Sequence, residues 1–73
     1  MAYNGHPSYN YWNVALWIGN DEGLYRLALD CIRHNKPRRK AAEAFKEALA
    51  TDKTPDGAPW TIAAILHGMR GLE

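Results

Sequence analysis

The first twenty residues of this chain contain no Asp, Glu, Lys or Arg, and their second half is strongly apolar. Six of the seven residues in 12–18 are apolar, and two of these are tryptophans. The chain has 73 residues, which is near the lower limit for a domain that folds without disulfides or metals. So many apolar side chains in a small chain must form its core or face a partner.

Residues 8–18 are predicted to form a helix. Ser8 is suited to cap its first turn, and Gly19 is suited to end it in the left-handed conformation. Every second residue in 12–18 is also apolar, as in a strand, but no second convincing strand is available to pair with it. We therefore favour the helix. The residues expected on its core side are Trp12, Ala15, Leu16 and Gly19.

Three more helices are predicted after this one. The second begins at residues 20–22, whose polar and acidic side chains suit a helix start, and ends by Asn35, since Lys36 precedes Pro37. The third covers about residues 38–51, and a proline-led turn at 54–57 separates it from a last helix over about 59–69. The expected core residues are Leu24, Leu27, Ala28, Cys31 and Ile32 in the second helix, Ala41, Ala42, Phe45, Ala48 and Leu49 in the third, and Trp60, Ile62, Ala63, Leu66 and Met69 in the last.

The predicted fold class is therefore all-α, a compact single domain of about four short helices over residues 1–71, with residues 72–73 read as the remnant of a cloning tag. Cys31 is the single cysteine, so an internal disulfide is excluded and a reducing compartment is favoured. No secretory signal is evident, and no apolar run approaches the roughly 20 residues that span a bilayer. We expect a cytoplasmic protein with no membrane partner.

No catalytic, cofactor or metal site is predicted. His6, His34 and His67 are scattered along the chain, and a single cysteine disfavours a structural zinc site. The sequence has no glycine-rich phosphate loop, no paired-carboxylate motif, no HExxH motif, and no nucleophile with an evident histidine partner. We therefore expect a protein that is not an enzyme.

A cationic segment at residues 33–40 is the strongest electrostatic feature. It holds five permanent cations and one histidine, and those in the first turn of the third helix oppose the helix dipole. This segment either contacts an acidic partner or nucleic acid, or is a solvated corner of the fold. The net charge of the chain, +1, does not distinguish these alternatives. Tyrosine is also favoured at interfaces. The candidate partner-binding residues are Tyr11, Trp17, Tyr25, Arg33, Lys36, Arg38, Arg39 and Lys40.

The residues from Ser8 to Glu22 carry a specific pattern. Tyr9, Trp12, Asn13, Val14, Ala15, Leu16, Trp17, Ile18, Asn20, Asp21 and Glu22 match the sequence N-Y-E-T-W-N-V-A-L-W-I-x-N-D-E. This pattern resembles the hallmark of an uncharacterised family of very short proteins from phages, plasmids and prokaryotic genomes. The chain departs from it at Asn10 and Tyr11, where the hallmark has Glu and Thr. For Asn13, Asn20 and Asp21 we favour structural roles, as helix caps and inter-helix hydrogen bonds, over functional ones.

The resemblance implies a phage or mobile-element origin more than an activity. Small phage proteins often bind a host machine, and inhibitors of CRISPR effectors are the prominent example. The first hypothesis is therefore a non-enzymatic protein that binds and blocks a host defence complex in the host cytoplasm. A nucleic-acid-binding regulator that uses residues 33–40 is the second; it is weaker because the basic run straddles Pro37 instead of following one recognition helix. An oligomerising accessory protein is the third, and a homodimer is left open.

Overall fold

The computed structural model describes residues 8–72 of the chain, and this part contains four α-helices. They are α1 (Tyr9–Asn20), α2 (Glu22–His34), α3 (Arg38–Ala48) and α4 (Ile62–Met69). Each helix packs against the next, and α1 packs most extensively against α4, which closes the bundle. The predicted all-α fold with four short helices is confirmed. None of the helices described has the length and apolar character needed to cross a membrane.

The first two helices meet at one extended residue, Asp21. The hydroxyl oxygen of Ser8 accepts from the amide of Tyr11 at 3.3 Å, so the predicted cap of α1 is confirmed. The prediction that Gly19 ends α1 is wrong, because the helix continues to Asn20. Asp21 has φ −95° and ψ 117°, and its carboxylate accepts from the amide of Leu24 at 3.0 Å. Because Asp21 caps α2 in this extended conformation, the connection needs no left-handed glycine.

The face of α1 that enters the core differs from the predicted one. Asn13, Val14 and Ile18 are buried, whereas Gly19 is exposed. The predicted core residues Trp12, Ala15 and Leu16 are only half-buried. The prediction failed because apolar side chains surround nearly the whole of α1, so periodicity could not single out one side.

The core faces of α2 and α3 agree better with the sequence. In α2, Ala28, Cys31 and Ile32 are buried, and the leucines one turn earlier pack against them. In α3, Ala41, Ala42 and Phe45 are buried. The predicted extension of α3 to residue 51 is wrong, since the helix ends at Ala48. Ala48 is therefore exposed, and Leu49 is half-buried just beyond the helix.

The last helix begins later than predicted, at Ile62 instead of residue 59. Thr61 is extended, and its hydroxyl oxygen accepts from the amide of Ala64 at 3.1 Å, which defines the helix start. Trp60 therefore lies before the helix, buried edge-on against Phe45 with ring centroids 5.8 Å apart. The prediction that Ala63 points inward is wrong, since Ala63 is exposed. Further along, Ala64, Ile65 and Met69 form the buried face, with Ile62 and Leu66 half-buried beside it.

Helices α1 and α4 approach each other closely at Gly68. A Cβ atom added there would lie 2.9 Å from Cδ1 of Ile18 and 3.3 Å from Cα of Ala15. Distances this short require a neighbour to move, so the lack of a side chain at Gly68 permits the contact. Beyond α4, Leu72 is half-buried against the core, and its amide donates to the carbonyl of Met69 at 3.0 Å.

Candidate functional site

Polar side chains of α1 hold the segment that connects α3 to α4. Asn13 is 0 % exposed, and its Nδ2 donates to Oδ2 of Asp56 at 2.9 Å. The hydroxyl of Thr54, which is also buried, donates to Oδ1 of Asn13 at 2.6 Å. The same hydroxyl oxygen accepts from the amide of Ala58 at 3.0 Å. Both polar ends of the Asn13 amide are thus occupied, as burial of such a group requires.

Trp17 completes this arrangement, since its Nε1 donates to the same Oδ2 of Asp56 at 3.0 Å. The two hydrogen bonds, from Asn13 and from Trp17, lower the pKa of Asp56 below its ordinary value. We call Asn13, Trp17, Thr54 and Asp56 the α1–loop clip. The clip gives two of the hallmark residues, Asn13 and Trp17, structural partners.

The loop bound by the clip contains the turn predicted at residues 54–57. The amide of Gly57 donates to the carbonyl of Thr54 at 2.8 Å, and Gly57 has φ 91°, a conformation that favours glycine. An isolated antiparallel bridge between Lys53 and Pro59 closes the base of the loop. Asn10 extends the contact from α1, because its Nδ2 donates to the carbonyl of Pro59 at 2.7 Å.

The cationic segment surrounds an open groove at the α2–α3 connection. The groove has a volume of about 600 Å³ and is lined by Ile32, Arg33, Asn35, Lys36, Pro37 and Arg38. We call it the basic groove. The start of α3 borders it, and Pro37, the N-cap residue, supplies no side-chain hydrogen bond to the helix. Three of the predicted partner-binding cations therefore share one concave surface.

The other charged residues of the segment lie beside this groove. Arg39 pairs with Glu43 at 3.5 Å and His34 with Asp30 at 3.3 Å, both at exposed i,i+4 positions. Such pairs contribute little to stability. Lys40 is exposed in the first turn of α3.

A second groove lies between α1, α4 and the start of α3. Its volume is about 410 Å³, and its lining consists of Tyr11, Arg38, Ala63, Leu66, His67 and Arg70. We call it the Tyr11 groove. The rings of Tyr11 and His67 are in contact, with centroids 5.1 Å apart and planes inclined by 52°. Arg38 lines both grooves, and therefore joins the cationic segment to Tyr11, which is remote from it in sequence.

Arg38 is held where the two grooves meet. Its Nη1 donates to the carbonyl of Met69 at the end of α4, at 2.7 Å. A cation suits this position because helix C-termini carry partial negative charge. Arg38 and Tyr11 were predicted from the sequence, but the residues on the α4 side of the groove were not: Ala63, Leu66, His67 and Arg70. Ala63 and Leu66 were assigned to the core, and Arg70 had no sequence signal.

The remaining two aromatic candidates lie apart from the grooves. Tyr25 is 39 % exposed on α2 and lines neither groove. Trp17 is half-buried in the clip. The structure thus brings Tyr11 together with Arg33, Lys36 and Arg38, and does not bring Trp17 or Tyr25 to the same surface.

The described histidines and Cys31, the metal-ligand and nucleophile candidates of the sequence, lie apart from one another or are buried. No group of three His, Cys, Asp or Glu residues among residues 8–72 could hold a metal ion. His6 lies outside the described residues. Cys31 is buried, and desolvation, followed by the nearby charge of Asp30, raises the pKa of its thiol. The thiol is therefore protonated near neutral pH and is a poor nucleophile.

Comparison with known proteins identifies a family but no activity. The family described as "Family of unknown function (DUF7249)" matches residues 1–70. The chain belongs to this family. No curated protein and no solved structure matches the chain. Membership in DUF7249 agrees with the expected uncharacterised family, while the phage origin and the role of the hallmark stay predictions.

In this DUF7249 member, the hallmark-like segment both holds the loop and lines the Tyr11 groove. Asn13 and Trp17 attach α1 to the loop, and Tyr11 lines a groove. The same short helix thus stabilises the fold and contributes to the concave surface. The surface can bind anions through its cations and apolar groups through its rings and methyl groups.

Proposed function

We propose that this protein is a phage or mobile-element protein that binds and blocks a host defence complex through protein–protein contacts, in the manner of an anti-CRISPR. The contact surface is formed by the basic groove and the Tyr11 groove together. The observation that carries the proposal is the position of Arg38, which lines both grooves and makes their linings continuous. The proposed mechanism is occlusion of the partner's working surface, without chemistry.

The mixture of side chains in this surface supports a protein partner. Interfaces between proteins are enriched in tyrosine and arginine around a less polar centre. Here Tyr11, Ala63 and Leu66 provide apolar surface directly beside Arg38. Surfaces that bind nucleic acid are more polar and more positively charged, and only the basic groove, with three cations in its lining, approaches that character.

The positions of the cations support a binding role for them. Lys40 lies in the first turn of α3, where the helix dipole disfavours cations. The charge of Lys40 therefore reduces the stability of α3, and its side chain makes no hydrogen bond or ion pair with another residue in the range 8–72. Cations so placed attract the carboxylates of an acidic partner over a distance of about one Debye length.

A nucleic-acid-binding regulator is the second candidate. Its support is the basic groove, where Arg33, Lys36 and Arg38 line one concave surface beside a helix N-terminus. Phosphate groups bind such surfaces readily. This candidate predicts binding to duplex DNA that weakens steeply as salt increases, whereas the first candidate predicts little binding to DNA.

The test is to express the protein in bacteria that carry one defined defence system and to challenge them with a sensitive phage. Wild-type protein is expected to restore plaques in at least one such host, and a Lys36→Glu variant, which reverses a charge in the basic groove, is expected to lose this effect. Lys53→Glu is the matched control, since it reverses a charge outside both grooves. Circular dichroism establishes that all variants fold.

Three outcomes would count against the proposal. If no defence system in a representative panel is inhibited, the blocking function fails. If the Lys36→Glu variant restores plaques as well as wild type, the basic groove is not the contact surface. Tight, salt-sensitive binding to duplex DNA without any effect on plaques would favour the regulator instead.

A further inference from the structure

We infer that the Tyr11 groove receives a short acidic segment of the partner protein, with one large apolar side chain in the groove and flanking carboxylates on Arg38 and Arg70. This inference rests on the proposed function and names the chemistry of the partner at that site. It follows from the size of the groove and from the apolar and positively charged side chains that line it.

The groove has an apolar interior of suitable size. Its volume of about 410 Å³ falls within the range of small ligand sites. Leu66 and the exposed Ala63 provide methyl groups from α4, and Tyr11 provides a ring from α1. Because the side chain at residue 63 is small, it leaves room for a side chain from outside.

The lining of the groove carries positive charge. Arg38 and Arg70 line it, and no Asp or Glu is among its lining residues in the described chain. A guanidinium has five N–H donors, and the bond from Arg38 to the carbonyl of Met69 uses one of them. That bond also fixes the side chain in place, so less conformational entropy is lost when a carboxylate binds.

Charge and polarity together favour one occupant over the alternatives. An acidic segment with a large apolar residue matches a groove whose lining combines two arginines with apolar side chains. A phosphate backbone would match the arginines but would leave the surface of Tyr11 and Leu66 without an apolar partner. A second copy of this chain would have to present one of its own acidic segments, and the experiment includes this outcome.

The test uses the whole chain, labelled with ¹⁵N, and the blocked peptide acetyl-Glu-Asp-Leu-Phe-Glu-Asp-amide. Amide shifts should change saturably at Tyr11, Ala63, Leu66 and Arg70 as the peptide is added. Two control peptides separate the contributions: Gln and Asn replace the acids in one, and Ser replaces Leu-Phe in the other. Both controls should bind more weakly.

Two variants place the peptide in the groove. Arg70→Glu should weaken binding by about tenfold or more, as expected from losing a charge-assisted hydrogen bond. Ala63→Leu, at an exposed helical position that leucine suits, should fill the groove and abolish saturable shifts. Lys53→Glu changes the net charge as Arg70→Glu does but lies outside the groove, and should bind like wild type apart from a small screened effect.

The inference is overturned if the acidic peptide leaves these amides unchanged at its highest soluble concentration. It is equally overturned if Ala63→Leu binds as well as wild type, or if the same amides shift with protein concentration alone and light scattering shows a dimer. Failure of the peptide together with intact plaque restoration would remove the inference and leave the proposed function standing. Peptide binding without any plaque restoration would do the reverse.

Discussion

Replacement of Asn13 by Ala should destabilise the fold far more than a typical change of a polar residue. Asn13 is fully buried, and its amide joins α1 to two residues of the loop, Thr54 and Asp56. Removing it deprives the Thr54 hydroxyl of its acceptor at 2.6 Å, while Thr54 as a residue is only 4 % exposed. Water therefore has poor access to replace the lost partner.

The size of the effect follows from that buried hydroxyl. A buried donor left without a partner costs about 1–3 kcal/mol. Domains have a stability of roughly 0.05–0.15 kcal/mol per residue, which for a chain of 73 residues is about 4–11 kcal/mol. The loss of one donor is thus a large fraction of the total. At about 4–8 °C per kcal/mol for a domain of this size, the Tm should fall by at least about 4 °C.

Urea denaturation followed by circular dichroism measures the change, with Asn20→Ala as the control. Asn20 is exposed at the end of α1, so its replacement should change stability by no more than about 0.5 kcal/mol. A double-mutant cycle with Thr54→Val isolates the contact between the two side chains. The Thr54 substitution should cost less in the Asn13→Ala background than in wild type. Strict additivity, or equal stability of the Asn13 and Asn20 variants, would refute the reasoning.

Three more predictions concern the packing of α4 and the charge of the clip. Gly68→Ala should destabilise the fold by up to about 3 kcal/mol through overpacking against α1, partly offset by about 1 kcal/mol of helix propensity. Gly71→Ala, where a Cβ would meet open space, should leave stability unchanged in the same urea assay. The pKa of Asp56 is lowered, so the stability contributed by its carboxylate is present above the ordinary pKa of 3.8 and is lost as the pH falls through the lowered pKa. Asp56→Asn should therefore flatten the decline of stability over that acidic range. An unchanged decline would contradict this. Trp17→Phe removes one of the two donors to Asp56, so a carboxyl titration followed by NMR should show the pKa of Asp56 move toward 3.8, and no movement would show that the indole bond has no electrostatic effect.

The sequence predicted helices best where polar and apolar residues separate clearly. In α2 the apolar residues recur on one side only, so Ala28, Cys31 and Ile32 could be assigned to the core. In α1 the apolar residues surround the helix, and the buried face then depends on where α4 and the loop pack. The burial of Asn13 in preference to Trp12 is decided by hydrogen-bond partners 41 and 43 residues away in the chain.

The candidate site was only half predictable, for a similar reason. The cations of the basic groove are neighbours in sequence, so their clustering at residues 33–40 was enough to identify them. The Tyr11 groove combines residues of α1, α3 and α4, and no local pattern links Tyr11 with Arg38 or Arg70. The exposure of Ala63 depended on the start of α4 at Ile62, which is set by the cap at Thr61.

The pairing of α1 with α4 also has a consequence for how the chain is made. A ribosome releases α1 first, but Val14 and Ile18 obtain their main partners only when α4 has emerged, and the clip likewise waits for Asp56. Contacts between α2 and α3 can form earlier, since they are nearer in sequence. Truncated translation products therefore expose apolar surface and are substrates for chaperones and proteases. Cells that make this protein are expected to accumulate it as the closed bundle and to clear fragments that lack α4.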